Sequence, residues 1–187
     1  MTDAVRVLGI SGSLRKGSFN TALLRAAIER APEGMSIDVA DISAIPPYND
    51  DVFRLGLPAP VEKLRGQVAG AQALLIATPE YNFSIPGVLK NAIDWASRPP
   101  KQPFAGKPLA IMGASASPGG TMRAQYHLRQ VAVFLDMHVV NKPEVFVRSA
   151  ANVFDAEGKL IDETTGKVVR DLLEALAKFA AWVPGVG

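Results

Sequence analysis

Hydroxyl and cationic side chains crowd a short segment near the start of the chain. Ser11, Ser13 and Ser18 lie close together with Arg15, and glycines separate them. Ser18 can cap a following helix, whose N-terminal N–H groups and dipole attract anions. Hydroxyl donors and one guanidinium suit a phosphate monoester. The segment lacks the lysine of a P-loop and the Gly-x-Gly-x-x-Gly dinucleotide fingerprint. It therefore predicts either another kind of phosphate site or a capped turn without a ligand.

Two later loops carry groups that suit a flat, hydrogen-bonding ring such as a flavin. Residues 78–87 include Tyr81, which can cover an aromatic face, and Asn82, which can meet a polar edge. Residues 113–120 are small, so their backbone N–H groups can approach a ligand closely, and a predicted helix follows them. Such donors stabilise the charge that a reduced flavin carries at N1–O2. The alternatives are a loop packed by its own aromatic residues and a plain glycine-rich turn.

The composition narrows the chemistry. The chain has no cysteine, which excludes disulfides, thiol nucleophiles, iron–sulfur ligation and zinc thiolates. Its only histidines, His127 and His138, are expected to be structural, and we predict no metal site. Any redox chemistry therefore needs an organic cofactor. The net charge is +2, and the charged residues are scattered along the sequence instead of forming a basic cluster. No nucleic-acid partner is therefore expected. No Gly-x-Ser-x-Gly elbow supports a hydrolase.

Strands and helices alternate along the whole sequence. Strands are predicted at residues 5–10, 36–41, 73–77, 109–113 and 138–141, with an extension at 145–148. Helices are predicted at residues 19–31, 61–69, 86–95, 121–135 and 163–182. Several strands are continuous apolar runs, which is typical of parallel strands covered on both faces. The pattern predicts a doubly wound, five-stranded parallel sheet with helices on both faces, built as one α/β domain over residues 1–187.

The three polar loops follow predicted strands, so they belong at one edge of this sheet. Ligands of doubly wound sheets bind beyond the carboxyl ends of the strands, at the point where the strand order reverses. A longer loop at residues 46–60 is expected to be functional or mobile. The sequence shows no apolar run long enough to span a membrane, and residues 1–3 lead directly into a strand. We therefore expect a cytoplasmic protein.

Three motifs together resemble the NADPH-dependent FMN reductase family. They are Ser11-Gly-Ser-Leu-Arg-x-x-Ser-Phe-Asn20, Pro79-Glu-Tyr-Asn-x-Ser-x-Pro-Gly-x-Leu-Lys-Asn-Ala-Ile-Asp-Trp95 and Gly113-Ala-Ser-x-Ser-x-Gly-Gly120. The middle motif is the most specific. The stretch Arg123-Ala-Gln-Tyr-His-Leu-Arg129 is similar to the branch of bacterial chromate and quinone reductases. The resemblance implies a flavodoxin-like fold, FMN as cofactor and NADPH or NADH as electron donor.

The resemblance also implies roles for matching residues. The FMN phosphate and ribityl chain would be held by Ser11, Ser13, Arg15, Ser18, Phe19 and Asn20. The isoalloxazine ring would be surrounded by Pro79, Glu80, Tyr81, Asn82 and Ser84. Its pyrimidine side would be lined by Ser115, Ser117, Gly119 and Gly120. FMN itself would carry the chemistry, with no catalytic side chain.

Acceptor and assembly follow from the same family pattern. The expected acceptors are quinones, azo dyes, free flavin and oxidised metal anions such as chromate, reduced by ping-pong hydride transfer through FMN. Arg98 and Lys101 are expected to line the rim of the substrate pocket. The chain is expected to form a homodimer or homotetramer through Arg123, Tyr126 and Glu144. The alternative function is a flavodoxin-like electron carrier without nicotinamide activity.

Overall fold

The computed structural model describes residues 4–183, and its centre is a parallel β-sheet. The strands are β1 (Val5–Ser11), β2 (Met35–Ala40), β3 (Ala73–Ala77), β4 (Pro108–Ala114), β5 (His138–Val139) and β6 (Val145–Val147). The order across the sheet is β2-β1-β3-β4-β5, and β6 also pairs with β4. All pairings are parallel. This order is that of a flavodoxin-like fold, so the predicted fold class is confirmed.

The fifth position of the sheet differs in detail from the prediction. β5 pairs with the start of β4, whereas β6 pairs with its end. The segment between them leaves the sheet, so two short strands occupy the place of one. The sheet therefore has six strands in five positions.

Helices cover both faces of the sheet. They are α1 (Phe19–Glu29), α2 (Asp50–Phe53), α3 (Ala59–Gly70), α4 (Gly87–Ala96), α5 (Met122–Phe134) and α6 (Glu163–Trp182). One apolar core lies between the sheet and α3, α4 and α5, and a second lies between the sheet and α1 and α6. The short α2 lies inside the segment predicted to be a long loop. Among residues 4–183, no helix combines the length and the apolar character needed to cross a membrane.

The direction of the strands decides which loops meet. In a parallel sheet every strand ends at the same edge, so the loops after β1, β3 and β4 lie together, as predicted. The segments that lead into strands lie at the opposite edge. The strand prediction at residues 5–10 is confirmed, but residues 1–3, on which part of the expectation of cytoplasmic location rests, lie outside the described residues.

Candidate functional site

The first loop, residues 11–18, gathers hydroxyl groups at the start of α1. Ser18 is the N-cap, and its Oγ accepts hydrogen bonds from the backbone N–H groups of Asn20 and Thr21 at 3.2 and 3.4 Å. Ser11 Oγ lies 2.8 Å from Thr21 Oγ1. The guanidinium of Arg15 lies 5.8 Å from the ring centroid of Phe19, and its side chain makes no ion pair within the described residues. The loop thus presents donors beside an exposed cation.

Asn20 connects the first loop to the third. Its side chain is buried, its Nδ2 donates to Ala114 O, and its Oδ1 accepts from Ala114 N, both at 2.9 Å. Both polar ends of the amide are therefore used by the backbone at the end of β4. The resemblance implied a contact with the cofactor, which stays a prediction, and the structure shows this side chain fixing the distance between two loops.

The second loop, residues 78–86, closes as a tight hairpin. Tyr81 and Ser84 exchange backbone hydrogen bonds of 3.0 and 2.9 Å. The two residues between them, Asn82 and Phe83, both have positive φ, which defines a primed turn and is uncommon for a phenylalanine. Tyr81 and Phe83 remain largely exposed, with 52% and 64% of their surface accessible. Backbone strain and exposed rings at a strand end are typical of a ligand-binding loop.

Glu80 points away from this hairpin and towards α5. Its Oε1 accepts from Arg123 Nε at 2.7 Å, and its Oε2 accepts from the backbone N–H groups of Arg123 and Ala124 at 2.9 and 3.2 Å. Only 8% of its side chain is exposed. The carboxylate therefore caps the N-terminus of α5 instead of facing the open side of the loop.

The third loop, residues 115–121, is held by its own hydroxyl groups. Ser115 Oγ accepts from Ser117 N and lies 3.1 Å from Ser117 Oγ. Gly120 has a φ of +63° and packs against Phe146. Gly113, at the end of β4, touches Thr121 so closely that a Cβ there would overlap its Oγ1. The small residues of this loop are thus required by packing as well as available to a ligand.

The second half of the middle motif anchors the long loop at residues 46–60. Pro46 O accepts from both Asn91 Nδ2 and Trp95 Nε1 at 2.8 Å. Asn91 Oδ1 also accepts from Tyr48 N at 2.7 Å, and Tyr48 packs against Trp95 with ring centroids 4.9 Å apart. Trp95 is buried, and its indole N–H is satisfied by Pro46 O. Asn91 and Trp95 are therefore structural residues that attach this loop to α4.

The predicted rim residues Arg98 and Lys101 are separated from the three loops by the length of α4, although Arg98 lines one surface cleft together with Ser84 of the second loop. They follow α4 and lead into β4, so they belong to the opposite edge of the sheet, about 15 Å away along a helix of this length. Arg65 orders this segment by donating to the carbonyl groups of Ala96, Arg98 and Pro100. Because helices return to the starting edge of a parallel sheet, counting strands would have predicted this placement from the sequence.

A cleft of about 620 Å³ runs along the outer surface between α4 and α5. It begins at Ser84 of the second loop, where Ser84 Oγ lies 2.9 Å from His127 Nδ1, and it ends at Arg98. Phe134, the last residue of α5, also lines this cleft and is 84% exposed. The His127 contact was missed, because the pairing joins a loop to a helix over forty-three residues and leaves no local signal.

The residues expected to join subunits make contacts within the chain. Tyr126 donates to Glu144 Oε1 at 3.0 Å, and Lys142 lies 3.0 Å from Glu144 Oε2. The hydrogen bond from Lys142, aided by that from Tyr126, lowers the pKa of Glu144, while burial opposes the shift. Arg123 is paired with Glu80. These groups form a polar surface around α5, the same helix that follows the third loop.

The donor chemistry of the three loops fits FMN. Hydroxyl groups and the cation Arg15 beside the start of α1 suit a phosphate, because anions bind where N–H groups and positive charge converge. Exposed aromatic rings on the second loop suit a flat ring system, and the third loop offers small residues for close backbone approach. These three features lie at the switch point where the strand order reverses between β1 and β3.

Comparison with known proteins agrees with this geometry. The family model for NADPH-dependent FMN reductases matches residues 5–152. The chain is 62% identical over 176 residues to an NAD(P)H-dependent FMN reductase of Pseudomonas aeruginosa, covering 94% of this chain and 95% of that protein. It is 45% identical over 182 residues to a quinone reductase of Escherichia coli, covering 96% and 97%.

A solved structure shows the same architecture. The flavoenzyme NAD(P)H:(acceptor) oxidoreductase FerB from Paracoccus denitrificans superposes with a TM-score of 0.88 and 32% identity, covering 96% of this chain and 99% of that one. The motifs, the fold and these likenesses agree with one another. The chain belongs to the NADPH-dependent FMN reductase family, and it is an FMN-containing oxidoreductase that takes electrons from a reduced nicotinamide.

Proposed function

We propose that this protein transfers electrons from NADPH or NADH through FMN to quinones. The observation that carries the proposal is the meeting of three loops at one sheet edge, where phosphate-binding donors and exposed aromatic rings lie on neighbouring loops. Relatives named as quinone reductases or NADPH:quinone oxidoreductases cover almost the whole chain at 45% to 48% identity, which supports quinones as the acceptor class.

The residue roles divide into direct contacts and positioning. We propose that Ser11, Ser13, Arg15, Ser18 and Phe19 bind the phosphate and ribityl chain. Pro79, Tyr81, Asn82 and Ser84 would border the ring, and Ser115, Ser117, Gly119 and Gly120 would border its pyrimidine side. Asn20 and Glu80 act by holding the loops, because their polar atoms are engaged with β4 and α5.

FMN supplies hydride acceptance and donation when it is bound, and the protein supplies position and electrostatics. Ser18 and Arg15 would fix the phosphate, so that the ring is placed against the second loop. Tyr81 and Phe83 would limit the open face on which donor and acceptor take turns. Since both reactants use that face, we expect ping-pong kinetics with parallel lines in a double-reciprocal plot.

Further acceptors belong to the same proposal. Azo dyes, free flavin and oxidised metal anions such as chromate also take electrons from reduced flavin, and an exposed loop such as the second one restricts acceptor shape little. Comparing kcat/KM for a benzoquinone, an azo dye, free FMN and chromate under one set of conditions would rank them. A benzoquinone is expected to give the highest value, and a higher value for another class would replace quinones as the proposed substrate.

We also propose that the chain works as a homodimer or homotetramer in the cytoplasm, where reduced nicotinamide is supplied, and that it folds as one domain around its single sheet. Arg123, Tyr126 and Glu144 would contribute to the subunit contacts. Val133 and Phe134 support assembly, because 79% and 84% of their surfaces are exposed at adjacent positions of α5. Light scattering of purified protein tests this, and a monomer at micromolar concentration would contradict it.

An anaerobic titration tests the central proposal. Purified protein is loaded with FMN, desalted and titrated with NADPH while the visible flavin bands are recorded. Bleaching of the bands, followed by recovery when a quinone is added, is the expected result. A bound flavin that neither NADPH nor NADH bleaches would indicate the electron carrier instead. Failure to retain FMN would contradict the assignment of the three loops.

A further inference from the structure

The ion pair of Glu80 and Arg123 joins the two loops proposed to border the flavin ring. Glu80 belongs to the second loop, whereas Arg123 lies in the first turn of α5, directly after the third loop. The Arg123 guanidinium carbon lies 3.7 Å from the ring centroid of Phe83, at the tip of the second loop. A Cβ on Gly119 of the third loop would lie 3.5 Å from Arg123 Nη2. The cation therefore sits between the two loops.

The same pair changes the charge at the start of α5. A free helix N-terminus carries a partial positive charge on its unpaired N–H groups. Here Glu80 Oε2 accepts from two of these groups, those of Arg123 and Ala124, so the carboxylate neutralises the helix end. The helix end that the sequence offered to a reduced flavin is thus already occupied by a carboxylate of the protein.

Glu80 and Arg123 therefore act on a nearby negative charge in opposite directions. FMN gains negative charge at N1–O2 when it takes up two electrons and one proton. A carboxylate near that position disfavours the reduced form, whereas a guanidinium and a helix N-terminus favour it. Low exposure strengthens the effect of the carboxylate, since 8% of the Glu80 side chain and 44% of the Arg123 side chain are accessible.

We propose that the Glu80–Arg123 pair sets the reduction potential of the bound FMN. Glu80 lowers the potential by neutralising the start of α5, and Arg123 raises it while holding the second loop against the third. Both are positioning residues that act through the loops and the helix end. The inference rests on the proposed function, because it places the flavin ring between these two loops.

The test is the midpoint potential of bound FMN in two single variants. Glu80→Gln keeps the shape of the side chain and removes its charge, so reduced FMN should bind more tightly relative to oxidised FMN. Arg123→Gln leaves the carboxylate without its cation, so reduced FMN should bind less tightly relative to oxidised FMN. A tenfold change in the ratio of these two affinities equals about 30 mV for a two-electron couple. Shifts in midpoint potential of about this size, and of opposite sign in the two variants, are expected.

Potential shifts of opposite sign distinguish an electrostatic effect on the flavin from a general loss of loop structure. A loosened loop would weaken FMN binding in both variants and shift both potentials in the same direction or in neither, and either result would overturn the proposal. Arg123→Lys, which keeps the charge, should stay closer to the wild-type potential than Arg123→Gln. Asp94→Asn is the matched control, because it removes the carboxylate of another ion pair, that of Asp94 with Lys90 at 2.8 Å on α4. The midpoint potential of FMN in this variant should equal that in the wild type.

The two proposals can fail separately. Wild-type protein that does not retain FMN would refute the proposed function. Wild-type protein that retains FMN, together with variants that lack opposite shifts, would refute only the role of the ion pair. If Glu80→Gln does not fold, Arg123→Gln and Arg123→Lys still decide the sign, since only the first removes a positive charge. The apoproteins of Glu80→Gln and Arg123→Gln should also unfold at lower urea concentrations than the wild-type apoprotein. This decrease measures how much the ion pair stabilises the fold.

Discussion

Asn20→Ala should weaken both the stability of the protein and its affinity for FMN. The side chain is 2% exposed, and its amide makes two hydrogen bonds of 2.9 Å with the backbone of Ala114. Alanine would leave a buried N–H and a buried C=O without partners. Since those groups lie where β4 enters the third loop, the distance between the first and third loops would no longer be fixed.

The size of the effect follows from the two lost bonds. Each buried polar group without a partner costs about 1–3 kcal/mol, so Asn20→Ala should lower the free energy of unfolding by about 3 kcal/mol. For a protein of this length that corresponds to a fall in Tm of about 6–12 °C. Urea unfolding of the apoprotein measures the first quantity, and fluorescence quenching of added FMN measures the affinity, which should fall about tenfold or more.

Asn91→Ala is the matched control. Asn91 also makes two amide hydrogen bonds to backbone, with Tyr48 N and Pro46 O, but it is half-buried on α4 and attaches a loop that the FMN proposal does not use. It should lose about 1 kcal/mol, because water can replace part of its bonding, and should keep its FMN affinity. Asn20→Ala with unchanged apoprotein stability and weakened FMN binding would refute the reasoning, because that result indicates direct contact with the cofactor.

Three further predictions follow from single contacts. Gly113→Ala places a Cβ against Thr121 in a tightly packed strand end and should cost about 3 kcal/mol or prevent folding, as measured by urea unfolding. Ser18→Ala removes the N-cap of α1 and should cost about 1 kcal/mol of stability while weakening FMN binding, whereas Ser18→Thr should preserve most of both. Hydrogen bonds from Thr165 lower the pKa of Asp162, the N-cap of α6, below its ordinary value of 3.8; its contribution is therefore complete above that value and lost as the pH falls through the lowered pKa, so acid unfolding of Asp162→Asn should show a weaker pH dependence.

The fold could be predicted because its signals are local. Continuous apolar runs such as Ala73–Ala77 identify parallel strands, and every α-helix of the described residues except α2 was predicted from the sequence pattern. The short α2 was missed because a four-residue helix has too few turns to show a period. The division of the fifth strand was also missed, since the sequence cannot show which part of β4 each segment pairs with.

The sequence predicted which loops meet at one sheet edge, and the roles of their residues stay predictions. The N-cap Ser18 at the start of α1 can be recognised from the sequence, because a cap bonds to residues no more than three positions away. Glu80 and Asn20 were assigned to the cofactor because they match positions of the family motifs. Their partners, Arg123 and Ala114, are 43 and 94 residues away in the sequence, and only the folded structure shows that these residues are in contact. The sequence identifies a loop more readily than the direction of its side chains.

The length of the middle motif has a physical explanation in these contacts. Its first part, around Tyr81, forms the exposed hairpin, whereas Asn91 and Trp95 in its second part attach the segment after β2 to α4. Glu80 adds the attachment to α5. One stretch of sequence therefore presents a loop and also fixes the neighbours on either side of it. The motif is long because the loop proposed to meet the flavin needs fixed surroundings, and the residues that fix them belong to the same stretch of sequence.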